Sequence, residues 1–355
     1  MNDNTDKYIK QLRDSTSLWV KGHGPQNHIV VSSRVRLARN IKDVPFPLKA
    51  SDEQLKIVLS HSEKIIKDNN CFVDFKIVKL NNLTSVQRNF LIEKRLISIA
   101  LASFNKHYSA FIYNPDEVIS IMVNEEDHFR IQCMLPGFQL QKVWDLINWY
   151  DDKIEKEVKY AFDNSQGFLT CCPTNAGTGL RASVMLHLPA LIILNRINEQ
   201  LKSISNKGYA VRGFYGEGSD FHGNLFQVSN QTTLGLSETE IIKQIENVVE
   251  QLINKEQEAR EELMVGAKKK IEDQVMRSYG ILTNARIIST AEAVDLLSNI
   301  RLGIEMGILI KIGYDTINRL MTIIQPGYLQ LTKGKKMEQA ERGETRAKLI
   351  RELLA

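Results

Sequence analysis

Short apolar segments rich in β-branched residues follow one another closely up to residue 229, and the sequence pattern changes after Leu236. The segments that predict strands are 111–113, 118–123, 129–134, 168–172, 209–214 and 225–229. Their hairpin-like succession favours antiparallel pairing over alternating βαβ units. Beyond Leu236 we find little strand signal, and apolar residues recur at helical spacing. The pattern therefore predicts an α+β fold followed by an all-helical C-terminal domain.

Capping signals predict where several helices begin. Ser51 and Ser237 each precede a Gln or Glu by three residues, which is the capping-box pattern, and the first helix is expected to extend to about residue 68. Further helices are predicted over 85–104, 291–300 and 316–324. At 355 residues the chain is long enough for two domains, which we expect at 1–258 and 259–355. Four apolar residues of the second domain could fill its own core or form a dimer interface: Leu296, Leu297, Ile300 and Leu320.

The bulk composition excludes several classes of protein. A net charge of +4, from 46 basic and 42 acidic residues, does not call for a nucleic-acid partner. Residues 1–10 have no apolar signal core, and the most apolar stretch, 184–194, is too short to span a membrane. Four cysteines and seven histidines show no zinc, disulfide or His-Glu-x-x-His spacing. We therefore expect a cytoplasmic protein without a membrane partner or a protein-built metal site.

An acidic motif ends one predicted strand. Glu125, Glu126 and Asp127 follow the apolar run 118–123, and Arg130 lies four residues beyond Glu126. Fixed carboxylates beside a guanidinium suit a reaction that removes a proton from one group while holding negative charge on another. The alternative is a solvated turn, which would be the better interpretation if this motif stood alone.

Two further motifs could bind an anion. Arg34 and Arg36 follow the apolar residues 29–31 and project on the same face of an extended segment, where two planar guanidiniums can hold a polyphosphate. The segment 172–183 predicts a strand end, a glycine-containing turn and a helix N-terminus beside Arg181. Cys172 precedes this turn, and it is either a stabilised thiolate or a small buried filler.

A glycine-rich loop supplies another arginine and another carboxylate. It contains Arg212 and Glu217, and taken singly it would be an ordinary turn with Glu217 facing water. Five arginines beside strand ends, however, match a nucleoside triphosphate whose charge is neutralised during phosphoryl transfer. Glu126 and Glu217 then suit a cationic acceptor such as a guanidinium, which needs a carboxylate to accept its proton. Mg²⁺ would be held mainly by phosphates and water.

The motifs at 124–128, 172–178 and 212–217 resemble those of the phosphagen kinase, or ATP:guanido phosphotransferase, family, and most closely its bacterial protein-arginine kinase branch. The resemblance implies a large antiparallel sheet flanked by helices and transfer of the γ-phosphoryl group of ATP to protein arginines. It makes Glu126 the catalytic base, Glu217 the second carboxylate, and Cys172 a neighbour that tunes the substrate guanidinium, with Glu125 and Asp127 in support. The implied ATP site comprises Ser32, Ser33, Arg34, Val35, Arg36, Arg95, Arg130, Arg181, Ala182, Ser183, Val184, Met185, Arg212, Gly213, Phe214, Tyr215, Gly216 and Glu217.

Two departures from the branch concern binding residues. Arg95 stands where the branch usually has histidine, so its nucleotide contact is a weaker expectation. A C-terminal phosphoarginine-binding motif retains Arg342, Arg346 and Ala347, but Gly343 replaces its aspartate. The resemblance still implies an allosteric phosphoarginine site there.

The resemblance also bears on substrate and partners. Only 31 residues precede Ser32, which is too few for the helical lid of small-molecule phosphagen kinases, so we expect surface arginines of proteins as substrates. The alternatives are a kinase of free arginine or another small guanidino compound, and a non-catalytic regulator that binds ATP or phosphoarginine. The implied partners are an activator protein, a heat-shock transcriptional repressor and a Clp protease that degrades tagged proteins under stress. A homodimer is also expected.

Overall fold

A large antiparallel sheet organises the computed structural model, which describes residues 4–103, 107–213 and 222–354. The strands are β1 (Val30–Arg39), β2 (Lys76–Lys79), β3 (Ala110–Tyr113), β4 (Ile119–Val123), β5 (Phe129–Pro136), β6 (Phe162–Asp163), β7 (Gly167–Phe168), β8 (Leu180–His187), β9 (Tyr209–Gly213) and β10 (Leu225–Asn230). Eight of them form one sheet in the order β2-β3-β4-β5-β1-β8-β10-β9, and each neighbouring pair is antiparallel. Strands β6 and β7 form a separate small hairpin. The α+β prediction is confirmed.

Helices precede, interrupt and follow the sheet. They are α1 (Thr5–Asp14), α2 (Asp52–Asp68), α3 (Ser85–Glu93), α4 (Ile99–Ser103), α5 (Leu140–Glu155), α6 (Pro189–Ile193), α7 (Ile197–Asn206), α8 (Glu238–Gly266), α9 (Lys268–Asn284), α10 (Thr290–Glu305), α11 (Tyr314–Ile323), α12 (Pro326–Lys333) and α13 (Gln339–Leu354). Both predicted capping boxes are present, at Ser51 with Gln54 and at Ser237 with Glu240. Within the described ranges, no helix is long and apolar enough to cross a membrane.

One face of the sheet forms the main hydrophobic core. Its central strands alternate, so that Val35, Leu37, Ile131 and Val184 are fully buried on this face. Helices α2, α5 and α8 pack against it. On the opposite face, β2 to β4 carry a further apolar cluster, which includes Phe111 and Met122 and packs against α1 and α3. The central strands carry most of the polar side chains of this face, and these are described in the next subsection.

Three predictions about local structure were wrong. The strand expected over 168–172 is limited to the two residues of β7, Gly167–Phe168. The helix expected over 85–104 ends at Glu93, because Arg95 adopts a left-handed backbone with φ of 65°, and a short helix follows at Ile99–Ser103. The segment after Cys172 is also not a helix. A brief 3₁₀ turn at Pro173–Asn175 leads into strand β8, so no helix N-terminus lies there to bind an anion.

The glycines of the segment after Cys172 serve close backbone packing. Gly177 has φ of 102°, and a Cβ on it would lie 2.3 Å from the carbonyl oxygen of Thr233. Gly179 has φ of 62°, and its Cβ would lie 2.6 Å from the oxygen of Ala38. Both positions therefore require glycine for steric reasons. The alternation of apolar residues from Leu180 onwards was the period-2 signal of a strand.

Helices α9 to α13 surround a second hydrophobic core. Leu297, Ile300 and Leu320 are fully buried in it, so they fill the core of their own chain and are not available for a dimer interface. Helix α8 runs without a break through the proposed boundary at residue 258, and its apolar residues up to Leu263 belong to the main core. The division into two domains stays a prediction.

Candidate active site

Antiparallel register gathers five arginines on one face of the sheet, namely Arg34, Arg36, Arg130, Arg181 and Arg212. Residues directly opposite each other in antiparallel strands point to the same face. Arg36 of β1 lies opposite Arg181 of β8, and Ala38, two residues further along β1, lies opposite Arg130 of β5. These arginines come from separate motifs of the sequence, and the strand pairing brings them together.

Arg212, on the edge strand β9, points to the same face, as three successive strand pairings show. Ser32 of β1 is opposite Met185 of β8, Met185 is opposite Gln227 of β10, and Gln227 is opposite Arg212 of β9. We call this side of the sheet the arginine face. It is opposite the apolar face that α2, α5 and α8 cover.

Positive charge on the arginine face is only partly balanced. Burial, followed by the like charges of Arg95 and three other arginines, lowers the pKa of Arg34 to about 9. Burial and neighbouring arginines also lower the pKa of Arg36 well below its ordinary value. The buried Nε of Arg36 has no hydrogen-bond acceptor among the described residues. Cations crowded in this way are suited to a polyanionic ligand.

Glu125 is the carboxylate that balances part of this charge. Its side chain is buried and accepts hydrogen bonds from Nη1 of Arg130 at 2.7 and 2.8 Å and from the Ser98 hydroxyl. Burial alone would favour the neutral acid, but the charge and hydrogen bonds of Arg130 and Ser98 lower the pKa of Glu125. Glu125 is therefore a fixed anion that orients Arg130 and is poorly suited to accept a proton.

Glu126 differs from its neighbour. It is half-buried, and burial together with the charge of Asp127 raises its pKa, while a hydrogen bond with the Cys172 side chain acts in the opposite direction. The Cys172 Sγ also lies 3.0 Å from Oγ1 of Thr174. A carboxylate with a raised pKa at the edge of a cationic site has the properties of a general base.

Asp127 joins two segments of the site. Its Oδ1 accepts hydrogen bonds from Nδ2 of Asn40 and from the backbone N–H of Cys171, both at 2.7 Å. Asn40 in turn accepts from the backbone N–H of His128 at 2.9 Å. Asp127 thus holds the acidic turn, residues 124–128, against the segment that carries Cys172. Sequence reasoning missed Asn40, because nothing in the sequence shows which residue meets Asp127.

The acidic turn is largely buried, so the alternative of a solvated turn is excluded. Asn124, Glu125 and His128 are 0% exposed and Asp127 is 3% exposed. Asn124 has a left-handed backbone with φ of 56°, and its Nδ2 donates to the carbonyl oxygens of Leu55 and Tyr108. Burial lowers the pKa of His128 to about 4. Its Nδ1 accepts from the N–H of Ile41 and its Nε2 bonds to the carbonyl oxygen of Pro45, both in the loop after β1. The turn is therefore a rigid support for Glu126.

A cleft of about 310 Å³ opens on the arginine face. Its lining residues are Arg34, Arg36, Ile92, Arg95, Ile97, Ser98, Ile99, Met122, Gln132, Arg212 and Gln227. Ser32, Ser183 and Met185 lie beside it, around a smaller recess next to Trp19. We call the larger opening the sheet cleft.

Several residues predicted for the ATP site have side chains elsewhere. Val35, Ala182 and Val184 are buried in the main core, on the opposite face. Ser33 is also buried, and its hydroxyl donates to the oxygen of Gly137 and accepts from the N–H of Gln139. Alternation along β1 and β8 is the reason, because a contiguous motif in a strand places every second side chain on the opposite face, where only its backbone could contact a ligand on the arginine face.

The predicted glycine-rich loop is described only in part. Arg212 and Gly213 end β9. Phe214, Tyr215, Gly216 and Glu217 lie outside the described residues.

The C-terminal arginines lie at a separate opening of about 510 Å³, which we call the C-terminal cleft. Its lining residues are Ile287, Ile288, Ser289, Thr290, Pro326, Gln339, Ala340, Arg342, Gly343 and Arg346. Arg346 is buried and donates to the carbonyl oxygens of Ile324 and Ile288, and Arg342 donates to the oxygen of Met337. Ala347 does not line this cleft, because it is buried in the second core.

Two carboxylates near the sheet cleft already accept hydrogen bonds from protein side chains: Glu125 from Arg130 and Asp127 from Asn40. In the ranges 4–103, 107–213 and 222–354, no three His, Cys, Asp or Glu side chains converge in a geometry that could hold a metal ion.

Comparison with family models accounts for most of the chain. Residues 57–259 match the C-terminal catalytic domain of the ATP:guanido phosphotransferases. Residues 268–355 match the model described as the protein-arginine kinase McsB C-terminal domain.

Similar proteins match over nearly their whole length. A protein-arginine kinase of Moorella thermoacetica is 48% identical over 346 residues, which cover 96% of this chain and 98% of that protein. A protein-arginine kinase of Bacillus cereus is 47% identical over 347 residues, which cover 97% and 98% of the two chains.

Solved structures share the fold of the sheet. A lombricine kinase superimposes with a TM-score of 0.59 at 25% identity, covering 67% of this chain and 68% of that one. A taurocyamine kinase from Schistosoma mansoni, solved with transition-state analogue components, gives a TM-score of 0.59 at 24% identity, covering 66% of this chain and 34% of that one.

Proposed function

This chain belongs to the ATP:guanido phosphotransferase family and is an ATP-dependent protein-arginine kinase, and on that premise we propose which of its residues carry out the reaction. The arginine face binds the phosphates of ATP, and the acidic turn presents Glu126 as the catalytic base. The observation that supports this assignment is the gathering of five arginines on one face beside two carboxylates that differ in pKa.

The phosphate site follows from the charge on the arginine face. Arg34, Arg36 and Arg181 would contact the triphosphate from the centre of the sheet, with Arg130 and Arg212 at its sides. Burial and, after it, like charges lower the pKa of Arg34, and a bound polyanion would offset both by adding opposite charge. It would also give the buried Nε of Arg36 an acceptor. Fixed cations of this kind stabilise the charge of a phosphoryl group in transit.

Glu126 would make the substrate nitrogen nucleophilic. Its carboxylate accepts a proton from a guanidinium N–H of the substrate arginine, and the freed lone pair of that nitrogen attacks the γ-phosphorus. The N–P bond forms as the bond from the γ-phosphorus to the bridging oxygen breaks, and ADP leaves with the electron pair. The raised pKa of Glu126 fits this role, since a very weak base would not take the proton.

Cys172 and Glu217 would orient the acceptor guanidinium. The hydrogen bond between the Cys172 side chain and Glu126 supports this role, because a guanidinium that gives its proton to Glu126 would also lie near that thiol. Glu217 lies outside the described residues, so its role rests on the resemblance of residues 212–217 to the family motif.

Mg²⁺ is proposed as a companion of the nucleotide. Since Glu125 is bonded to Arg130 and Asp127 to Asn40, the carboxylates at the cleft are poorly placed to form a cage, and phosphate oxygens and water would supply most ligands. Bound in this way, Mg²⁺ would neutralise part of the triphosphate charge.

The finer biological setting is proposed on the family resemblance. Protein substrates with surface arginines are favoured over free arginine by the two protein-arginine kinases that match this chain. An activator protein, a heat-shock repressor, a Clp protease and a homodimer remain expectations of that resemblance. All four cysteines are free, which supports a reducing, cytoplasmic location.

The C-terminal region would bind phosphoarginine. We propose that residues 259–355 form a regulatory helical domain beside the catalytic domain, 1–258. Arg342 and Arg346 line the C-terminal cleft and offer guanidinium donors to a phosphoryl group.

The test is incubation with ATP, Mg²⁺ and an arginine-rich protein, followed by mass spectrometry of acid-labile phosphate. The wild type should label arginine, and E126Q should lose roughly 10²- to 10⁴-fold in rate because the proton acceptor is gone. E157Q, which changes an exposed glutamate after α5, is the matched control and should retain wild-type activity.

Other outcomes would point to different functions. Turnover of free arginine without protein labelling would indicate a small-guanidino kinase. Full function in E126Q would indicate a regulator that does not transfer phosphate, and acid-stable phosphoserine or phosphothreonine alone would contradict the proposal.

A further inference from the structure

Helix α3 ends at Glu93, and Lys94 and Arg95 follow it. These three residues contact three different parts of the molecule: the C-terminal region, the N-terminal helix and the sheet cleft. The buried Lys94 forms an ion pair of 2.7 Å with Glu117 and also donates to the carbonyl oxygen of Leu12 in α1. Lys94 therefore holds the end of α3 against the N-terminal helix, α1. Its two neighbours, Glu93 and Arg95, contact the C-terminal region and the sheet cleft.

Glu93 reaches the C-terminal region. Its Oε1 accepts the N–H of Gly327 at 2.7 Å, and its Oε2 accepts the N–H of Tyr328 at 2.8 Å. These N–H groups belong to the first turn of α12, which lacks intrahelical acceptors for them. The contact is tight, because a Cβ on Gly327 would lie 2.7 Å from Oε2 of Glu93 and from the backbone nitrogen of Phe90.

Arg95 reaches the sheet cleft. Its backbone is left-handed, a conformation that costs a non-glycine residue roughly 1 kcal/mol and must be held by its surroundings. Its carbonyl oxygen accepts from Nε2 of Gln132 at 2.7 Å, and Gln132 lies opposite Arg36 on the arginine face. Its guanidinium lies close enough to Arg34 to lower the pKa of that residue.

We propose that Glu93 is a positioning residue for ATP: by holding α3 on the first turn of α12, it fixes Arg95 on the arginine face. ATP affinity then depends on how α12 is seated in the C-terminal region. Pro326, which precedes Gly327, lines the C-terminal cleft, so a ligand in that cleft would touch the same turn. This inference rests on the proposed function, which assigns Arg95 to the ATP site.

The competing explanation is an ordinary helix cap, and the chain contains a matched example. Glu256 of α8 accepts the N–H groups of Ala190 and Leu191, both at 3.0 Å, in the first turn of α6. As at α12, a proline begins that helix. Glu256 also forms an ion pair of 2.8 Å with Arg260. Its neighbours in α8, Ile253 and Ala259, belong to the main core, and no residue of α8, which the structure describes in full, lines the sheet cleft.

The experiment compares E93A, R95A, the double variant and E256Q in steady-state kinetics with Mg-ATP and in calorimetric titration of ATP. R95A should raise KM for ATP roughly tenfold, the effect of one lost charge-assisted contact. E93A should raise it several-fold with kcat changed less than twofold, E93Q should fall between E93A and the wild type, and the double variant should match R95A. E256Q should lower the melting temperature without moving KM.

Each remaining outcome decides between the two proposals. An unchanged KM in R95A would remove Arg95 from the ATP site and overturn this part of the proposed function. Wild-type KM in E93A, additive effects in the double variant, or an equal KM rise in E256Q would overturn the positioning role alone. If E93A does not fold, G327A serves instead, since its Cβ presses on the carboxylate of Glu93, and a wild-type KM in G327A would contradict the inference.

Discussion

Two clefts of this protein carry arginines that serve different purposes. In the sheet cleft, Arg34 and Arg36 face other cations, and the buried Nε of Arg36 meets no acceptor in the part of the chain that the structure describes. In the C-terminal cleft, Arg346 donates to two backbone carbonyl oxygens. Arg34 donates to Oε1 of Gln227 at 2.9 Å, but burial and like charges still disfavour the charged forms of Arg34 and Arg36, whereas Arg346 is held by protein acceptors. Arginine content alone would not separate the two sites.

The largest expected effect comes from removing a sheet arginine. R36L should lower kcat/KM for ATP by roughly 10²- to 10³-fold, because a buried phosphate contact is lost. The same change should leave the free energy of unfolding in urea unchanged or higher, since it removes a buried cation repelled by its neighbours. R36K is the control, and it should keep part of the activity. A marked loss of stability in R36L would contradict the comparison.

The matching change in the C-terminal cleft should have the opposite effect. R346L should lower the free energy of unfolding by about 3 kcal/mol, because it leaves the buried oxygens of Ile324 and Ile288 without a donor. Its effect on kcat/KM for ATP should be far smaller than that of R36L. R342L changes a more exposed neighbour and should cost less than about 1 kcal/mol. Equal stabilities of R346L and R342L would show that Arg346 has no structural role.

Gly343 allows a smaller change that adds charge to the C-terminal cleft. A carboxylate at this position could pair with the guanidinium part of phosphoarginine, while Arg342 holds the phosphoryl group. G343D should therefore bind free phosphoarginine roughly fivefold more tightly, or about 1 kcal/mol, in calorimetric titration. Its Cβ would lie 2.9 Å from Cγ2 of Ile287, but that side chain is 61% exposed and has room to move.

The control for this change is G343A, which adds the Cβ without the charge and should not bind more tightly than the wild type. If G343A and G343D bound phosphoarginine equally, the carboxylate would have no part in recognition.

Periodicity and caps predicted the fold better than they predicted the site. Strand patterns gave the antiparallel sheet, and the capping boxes gave the starts of α2 and α8. The contiguous stretch Ser32 to Arg36, however, contains side chains of both faces, and only the pairing of β1 with β5 and β8 shows which ones meet. The roles of Asn40 and Glu93 depend on contacts between segments far apart in the chain. No local pattern encodes such contacts.

The smallest expected effect concerns the contact between Glu93 and the first turn of α12. It should appear as a pH dependence of the free energy of unfolding. Burial raises the pKa of Glu93 to about 7 from an ordinary 4.5, although the N–H groups of Gly327 and Tyr328 favour its charged form. The folded state therefore holds this proton more tightly than the unfolded state does. Stability from this group is fully present below about pH 4.5 and is lost as the pH rises to about 7.

E93Q has no proton to lose at this position, so it supplies the reference. The free energy of unfolding of the wild type minus that of E93Q should fall by about 1 kcal/mol between pH 5 and 7.5, less than the full shift implies because the side chain is partly exposed. Urea denaturation of both proteins across this range measures it. A difference that rises with pH would mean that the capping contact favours the carboxylate more than burial opposes it, and Glu93 would then hold α12 most strongly at high pH.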